Sequence, residues 1–170
     1  PCASSGNMSW NTAVTLVDFN GIYNATGKTQ PYSDYTESHS STIEIGSAYD
    51  LSVNVNTDGD YNVYATAWID WNQDSDFDDD GETYDLGLAT NTADGITSLS
   101  PMSIAVPDYA EDGETTLRVA AKFATYPGQC DTDYDGEVED YALVVESGLG
   151  IVENTFEINP VIYPNPTNGI

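Results

Sequence analysis

Apolar side chains recur at every second position along most of this chain. Between residues 61 and 69, Tyr61, Val63, Ala65, Ala67 and Ile69 alternate with Asn62, Tyr64, Thr66 and Trp68. That is the period of a strand, not of a helix. Leu51, Val53 and Val55 alternate in the same way with Ser52, Asn54 and Asn56. Between 115 and 123, Leu117, Val119, Ala121 and Phe123 are predicted to point inward, with Arg118 and Lys122 on the other face beside Thr116 and Ala120. A less regular strand covers 12–19, and Asn20-Gly21 is a turn signal that returns 22–25 as the second arm of a hairpin. Shorter strands are predicted over 42–45, 83–88 and 138–145. One long strand, 96–106, is interrupted by Pro101, which fits an edge or a bulge. Residues 1–11, 26–41 and 124–135 read as loops, with Trp10 the one large apolar group of the first. No stretch has a convincing helical period. The fold class is therefore all-β, an antiparallel β-sandwich of jelly-roll or immunoglobulin-like type, with a barrel as the alternative.

Charge narrows the function. The 170 residues hold 3 Lys plus Arg against 29 Asp plus Glu, a formal net charge of −26. Nucleic-acid binding needs a basic face, and only Lys28, Arg118 and Lys122 are available, so that class is excluded. Anionic membranes and polyanionic glycans are disfavoured on the same ground, unless a cation bridges. No apolar run approaches the roughly 20 residues of a membrane span. An aromatic content of 11% argues against the disorder that high net charge otherwise signals. The expected form is a monomeric piece of a larger exported protein.

One stretch stands apart. Asp70, Asn72, Asp74, Asp76 and Asp78 follow one another at intervals of two, and Glu82 closes the run. Asp79 and Asp80 add to the charge, and no Lys or Arg interrupts it. Crowded carboxylates in a folded loop need a counter-charge, and Ca2+ supplies one through about six to eight oxygen ligands. The Asp-x-Asn-x-Asp spacing is that of an EF-hand-type loop, but the flank has a strand period. Ser75 stands where the sharp turn usually has Gly, and Gly81 displaces the closing acid by one place to Glu82. The alternative is a solvated acidic turn.

Other candidates carry less. Glu137, Glu139 and Asp140 on the closing strand either complete the cation shell or pair with Arg118 or Lys122. Tyr32, Tyr35, Tyr126 and Tyr134 fall in predicted loops, where rings could stack on sugars; the alternative is that they cover the edges of the core. Cys2 and Cys130 are the only cysteines, an even count that fits one disulfide in an exported protein; two unlinked buried thiols are the other option. Catalysis is not expected. His39 is the single histidine, in a Ser-rich loop, and the acids cluster with metal-ligand spacing rather than as a catalytic pair.

Gly136-Glu137-Val138-Glu139-Asp140-Tyr141, taken with the acidic stretch and the corner running from Val106 to Val119, resembles the GEVED domain of bacterial exported proteins. The early Cys2 and the late Cys130 also sit as in that family. The resemblance covers residues 1–146, and Ser75 departs from it. It implies a non-catalytic accessory module beside a hydrolase, protease or adhesin. Residues 147–160 read as a linker. Residues 161–170, with Tyr163-Pro164-Asn165-Pro166, resemble the opening of a type IX secretion C-terminal sorting domain. That implies export from a Gram-negative bacterium, with release or attachment at the cell surface. The expected ligand is a polysaccharide, either neutral or acidic and bridged by a cation. The alternative is a structural or adhesive spacer, or a protein-binding domain.

Overall fold

The computed structural model describes residues 1–148, and the linker and sorting-domain expectations lie almost wholly outside them. Thirteen strands follow in order: β1 (Ser5–Gly6), β2 (Ala13–Phe19), β3 (Ile22–Ala25), β4 (Tyr32–Asp34), β5 (Ser40–Glu44), β6 (Ala48–Asn56), β7 (Asn62–Ile69), β8 (Thr83–Thr90), β9 (Gly95–Ile96), β10 (Met102–Ala105), β11 (Gly113–Phe123), β12 (Thr132–Tyr134) and β13 (Gly136–Glu146). There is no helix among the described residues.

Two sheets make the sandwich. The first has the order β10-β6-β2-β3, with β9 also on β6; the second runs β4-β13-β11-β7-β8, with β5 also on β13. The alternating apolar positions explain the layering. Val14, Val17, Phe19, Leu51, Val53 and Val55 of the first sheet face Val63, Ala65, Ala67, Ile69, Leu117 and Val119 of the second in one buried core.

The centre of each sheet is antiparallel, as the pattern predicts. The edge departs from it, since β4 and β5 both run parallel to β13, and β1 pairs with β12 in parallel. All three predicted loops thus contain strands, β1, β4 and β12. The expected strand over 96–106 is two short strands instead, β9 and β10, both on β6 at the margin of the first sheet. Pro101 has no N–H to extend a ladder across that gap.

The outer face of the second sheet is also covered. Trp68, Ala120, Val138, Phe77 and Tyr134 form a second, smaller buried cluster there. The cover consists of the N-terminal segment, the acidic loop and the segment around Cys130. Cys2 and Cys130 are joined by a disulfide, with Cα atoms 5.6 Å apart. Backbone bonds from Ser5 to Asp131 and from Asn7 to Tyr134 continue the attachment.

Candidate metal loop and the surrounding sites

The acidic run is the connection between β7 and β8, which are antiparallel neighbours paired from Trp68↔Thr83 onward. The Ile69 N–H donates to the Glu82 carbonyl across the base of the loop. Two aromatic pins hold the loop down. Trp71 is fully buried in the main core, and its Nε1 donates to the Tyr84 hydroxyl at 2.9 Å and to the Gly81 carbonyl at 3.2 Å. Phe77 is buried on the other side of the sheet, next to Trp68.

Between the pins the loop folds back on itself. Asp70 Oδ2 accepts from the Ser75 N–H at 3.1 Å, Asp74 Oδ1 from the Asp76 N–H at 3.2 Å, and Asp76 Oδ1 from the Asp78 N–H at 2.9 Å. Ser75 has φ of +76° and Gln73 +55°. The position that lacks the usual glycine adopts the left-handed conformation nonetheless, held by its bond to Asp70.

The chemistry lies at the base. Asp70 and Glu82 are both buried, and Glu82 has no exposed surface. Glu82 Oε1 accepts from the Trp71 N–H at 2.7 Å. Asp70 Oδ1 and Glu82 Oε2, however, are buried with no hydrogen-bond partner among the described residues. Burial raises both carboxyl pKa values, and the charge of Asp70 pushes Glu82 up further. Two buried carboxylate oxygens without donors cost free energy unless something positive meets them. Farther out, Asp74, Asp76 and Asp79 each place an oxygen within 4.8 Å of the others. The Asn72 amide donates to Asp74 at 3.1 Å and to Asp79 at 2.6 Å. Asp79 falls outside the spacing-based set, and the fold brings it in. Asp78 turns the other way, accepting through Oδ1 from Gln129.

The three acids of β13 are not part of this loop. Asp140 makes a two-pronged ion pair with Arg118 at 2.8 Å and 2.8 Å, on the covered outer face. Glu137 and Glu139 lie on the opposite face of the strand, between the two sheets. Glu137 Oε2 accepts from the Val14 N–H at 3.2 Å. Glu139 accepts from Thr26 Oγ1 at 2.9 Å and from the Tyr141 hydroxyl at 2.7 Å, and Asn24 in turn donates to that hydroxyl. Burial, then the neighbouring Glu139 charge, pushes Glu137 up to about 8; burial pushes Glu139 up to about 7. Of the two roles expected for these acids, the structure places Asp140 in the pair with Arg118, and it sets Glu137 and Glu139 between the sheets, apart from the acidic loop.

The four tyrosines are not brought together, and three of them follow the alternative of covering the core and its edges. Tyr134 is buried, and burial raises its pKa. Tyr35 is partly buried and stacks on Tyr141 with ring centroids 5.5 Å apart. The Tyr32 hydroxyl donates to Asp140 at 3.0 Å. Tyr126 alone of the four is well exposed, edge-on to Tyr64. The exposed aromatic cluster is elsewhere. Trp10, Tyr61 and Phe123 are 57%, 54% and 39% exposed and line one cleft. The alternation predicts Tyr61 and Phe123 inward, but both lie at strand ends, past the edge of the core.

Residues 64–144 match the GEVED domain. The match takes in the acidic loop, Arg118 and the closing motif on β13, and GEVED domains are non-catalytic accessory domains. No curated protein matches the chain.

Proposed function

We propose that this chain is a calcium-binding accessory domain that holds a covalently linked partner domain near a polysaccharide. It works by effective concentration rather than by chemistry. The observation that carries the calcium reading is the pair of buried, donorless oxygens on Asp70 and Glu82. Asn72 and the converging oxygens of Asp74, Asp76 and Asp79 add to them, all oxygen donors of the kind a hard divalent cation takes, while Asp78 is turned to Gln129. Bound Ca2+ supplies the charge that the loop lacks. The protein's own residues position it: Trp71 and Phe77 fix the two sides of the loop, and the β7–β8 ladder fixes its feet.

The glycan reading rests on the exposed aromatic cluster, which a bare spacer has no need of. All three cationic side chains are engaged, Lys28 with the Trp10 carbonyl, Arg118 with Asp140 and Lys122 with Asp131. A neutral polysaccharide is therefore favoured, with acidic ones reached only through the cation. The resemblance at 161–170 supports a secreted or surface-attached setting in a Gram-negative bacterium.

Chelation tests the metal. A ligand present at about 100 times its Kd stabilises by about 2.7 kcal/mol, which corresponds to several degrees in Tm for a chain of this size. EDTA is expected to lower Tm by that order, and added Ca2+ to restore it. Asp70→Ala and Glu82→Gln should abolish the response. An EDTA-insensitive melt, with no calcium bound by calorimetry, would remove the calcium reading.

A further inference from the structure

The cleft lined by Trp10, Tyr61 and Phe123 is formed from three distant parts of the chain, and each is held in place. Residues 1–11 are tied down by the disulfide and by the β1–β12 pair. Lys28 Nζ donates to the Trp10 carbonyl at 2.9 Å, and Asn11 donates from both its backbone and its side chain to Asp58. Tyr61 immediately precedes β7, and Phe123 ends β11 next to it, their rings edge-to-face at 5.4 Å. The cleft measures about 240 Å³, and its remaining walls are Asp58 and Asp135. The Tyr61–Phe123 ridge is shared with an adjoining cleft of about 360 Å³ that offers Asp60, Asn62 and Thr90.

Two features define what fits. The walls are large rings that stay exposed beyond their mutual edge-to-face contact, although exposed large apolar groups normally cost free energy unless something covers them. The polar rim consists mainly of acceptors, and Asp135 Oδ1 is buried without a donor. A ligand that suits this presents C–H faces to the rings and donates hydrogen bonds around its perimeter. A pyranose does both. Two clefts sharing one aromatic ridge suit adjacent rings of a chain rather than a single free sugar. An anionic sugar meets three carboxylates here, and Lys28, the nearest cation, already serves the Trp10 carbonyl.

We infer that the paired clefts on either side of the Tyr61–Phe123 ridge, with Trp10 as the opposite wall, bind consecutive residues of a neutral polysaccharide. This rests on the glycan reading of the domain and says where the polymer binds. Trp10, Asp58 and Tyr61 lie outside the segment that matches the GEVED domain, and only Phe123 and Asp135 of the first cleft lie within it.

The test uses the whole chain with calcium present. Affinity electrophoresis and calorimetry are run against soluble neutral polysaccharides (β-glucans, mannans, xylans), with sulfated and uronate polymers and a lysine-rich peptide as comparators. Wild type is expected to bind one or more neutral polymers. Trp10→Ala and Tyr61→Ala, both exposed, should each weaken that binding about tenfold or more while leaving Tm unchanged; Tyr23→Ala, also exposed, should not. If wild type binds a glycan and neither cleft variant weakens it, the glycan reading stands and the cleft assignment falls. If wild type binds no member of the panel, both fall. If only the lysine-rich peptide binds, and Trp10→Ala abolishes that, the cleft is a site for a cationic protein and the polysaccharide assignment is overturned.

Discussion

Replacing Arg118 with alanine is expected to cost about 3–5 kcal/mol, the loss seen when one member of a buried ion pair is removed. The Arg118 side chain is 4% exposed and that of Asp140 7%. Its guanidinium satisfies four acceptors at once. Nε and Nη2 donate to the two oxygens of Asp140, and Nη1 donates to the carbonyls of Cys2 at 2.8 Å and Gln129 at 3.0 Å. The Phe77 ring lies under the guanidinium, 5.4 Å from centroid to Cζ. Alanine leaves a buried carboxylate with only the Tyr32 hydroxyl and strips donors from two carbonyls.

Charge alone does not replace that group. Lysine has no planar fork to meet Asp140 and two carbonyls together, so Arg118→Lys should recover only part of the loss. Arg118→Met with Asp140→Leu should recover most of it, because neither partner is then left desolvated and alone. The measurement is the urea midpoint and slope for each variant. A loss below about 1 kcal/mol for Arg118→Ala would show that water reaches Asp140 freely. The surface pair Lys122–Asp131, at 2.6 Å but 24% and 37% exposed, is the internal comparison; its removal should cost under about 1 kcal/mol. Because the same guanidinium holds the N-terminal segment, the Gln129 segment and Phe77, its loss should also weaken the calcium binding proposed for the loop that Phe77 anchors.

The pattern of alternate apolar residues was enough to place the long strands, because β2, β6, β7, β11 and β13 each bury one face against the other sheet. It could not show β4, a Tyr-Ser-Asp segment with no alternation, or β12, Thr-Asp-Tyr. Those strands exist because β13 and β1 offer them a parallel ladder, and that information lies far away in the chain. The loop at 70–82 stood out because oxygen-bearing side chains at intervals of two need no long-range knowledge. Asp79 breaks that interval and joins only when the loop folds back past the buried Phe77. The aromatic cleft was hidden for the opposite reason, since positions 10, 61 and 123 come together only in three dimensions. Glu137 and Glu139 are the instructive case. Their parity with Leu143 and Val145 already puts them on the core face, whereas charge alone suggested a cation or a basic partner.

That inward placement predicts a stability that falls with rising pH. Two carboxyls in one interior, held up to about 8 and about 7, keep their protons where an unfolded chain near 4.5 has released them. Below that ordinary value both states are protonated and the pair costs nothing. Between about pH 5 and pH 8 the unfolded state binds fewer protons than the folded one, so stability drops as pH rises; above about pH 8 both are ionised and the curve flattens. Each pH unit between a carboxyl's folded and unfolded pKa is worth about 1.4 kcal/mol, so with the two sites coupled the loss is roughly 3–5 kcal/mol. That is a large share of the roughly 5–15 kcal/mol a domain has. The groups facing the pair are few. Lys28 pulls Glu137 down without cancelling the burial, and Thr26, Tyr141 and the Val14 N–H supply the hydrogen bonds. Glu137→Gln with Glu139→Gln keeps the shape and removes the titration. Unfolding by urea should find the two proteins within about 1 kcal/mol of each other near pH 5, and the double variant several kcal/mol more stable near pH 9. A difference that stays constant across that range would mean the pair is ionised throughout, compensated by a cation between the sheets. The physical source of the pH dependence is strand β13 itself: one face carries Asp140 into a matched ion pair, and the other carries two acids into an interior with no cation to match both.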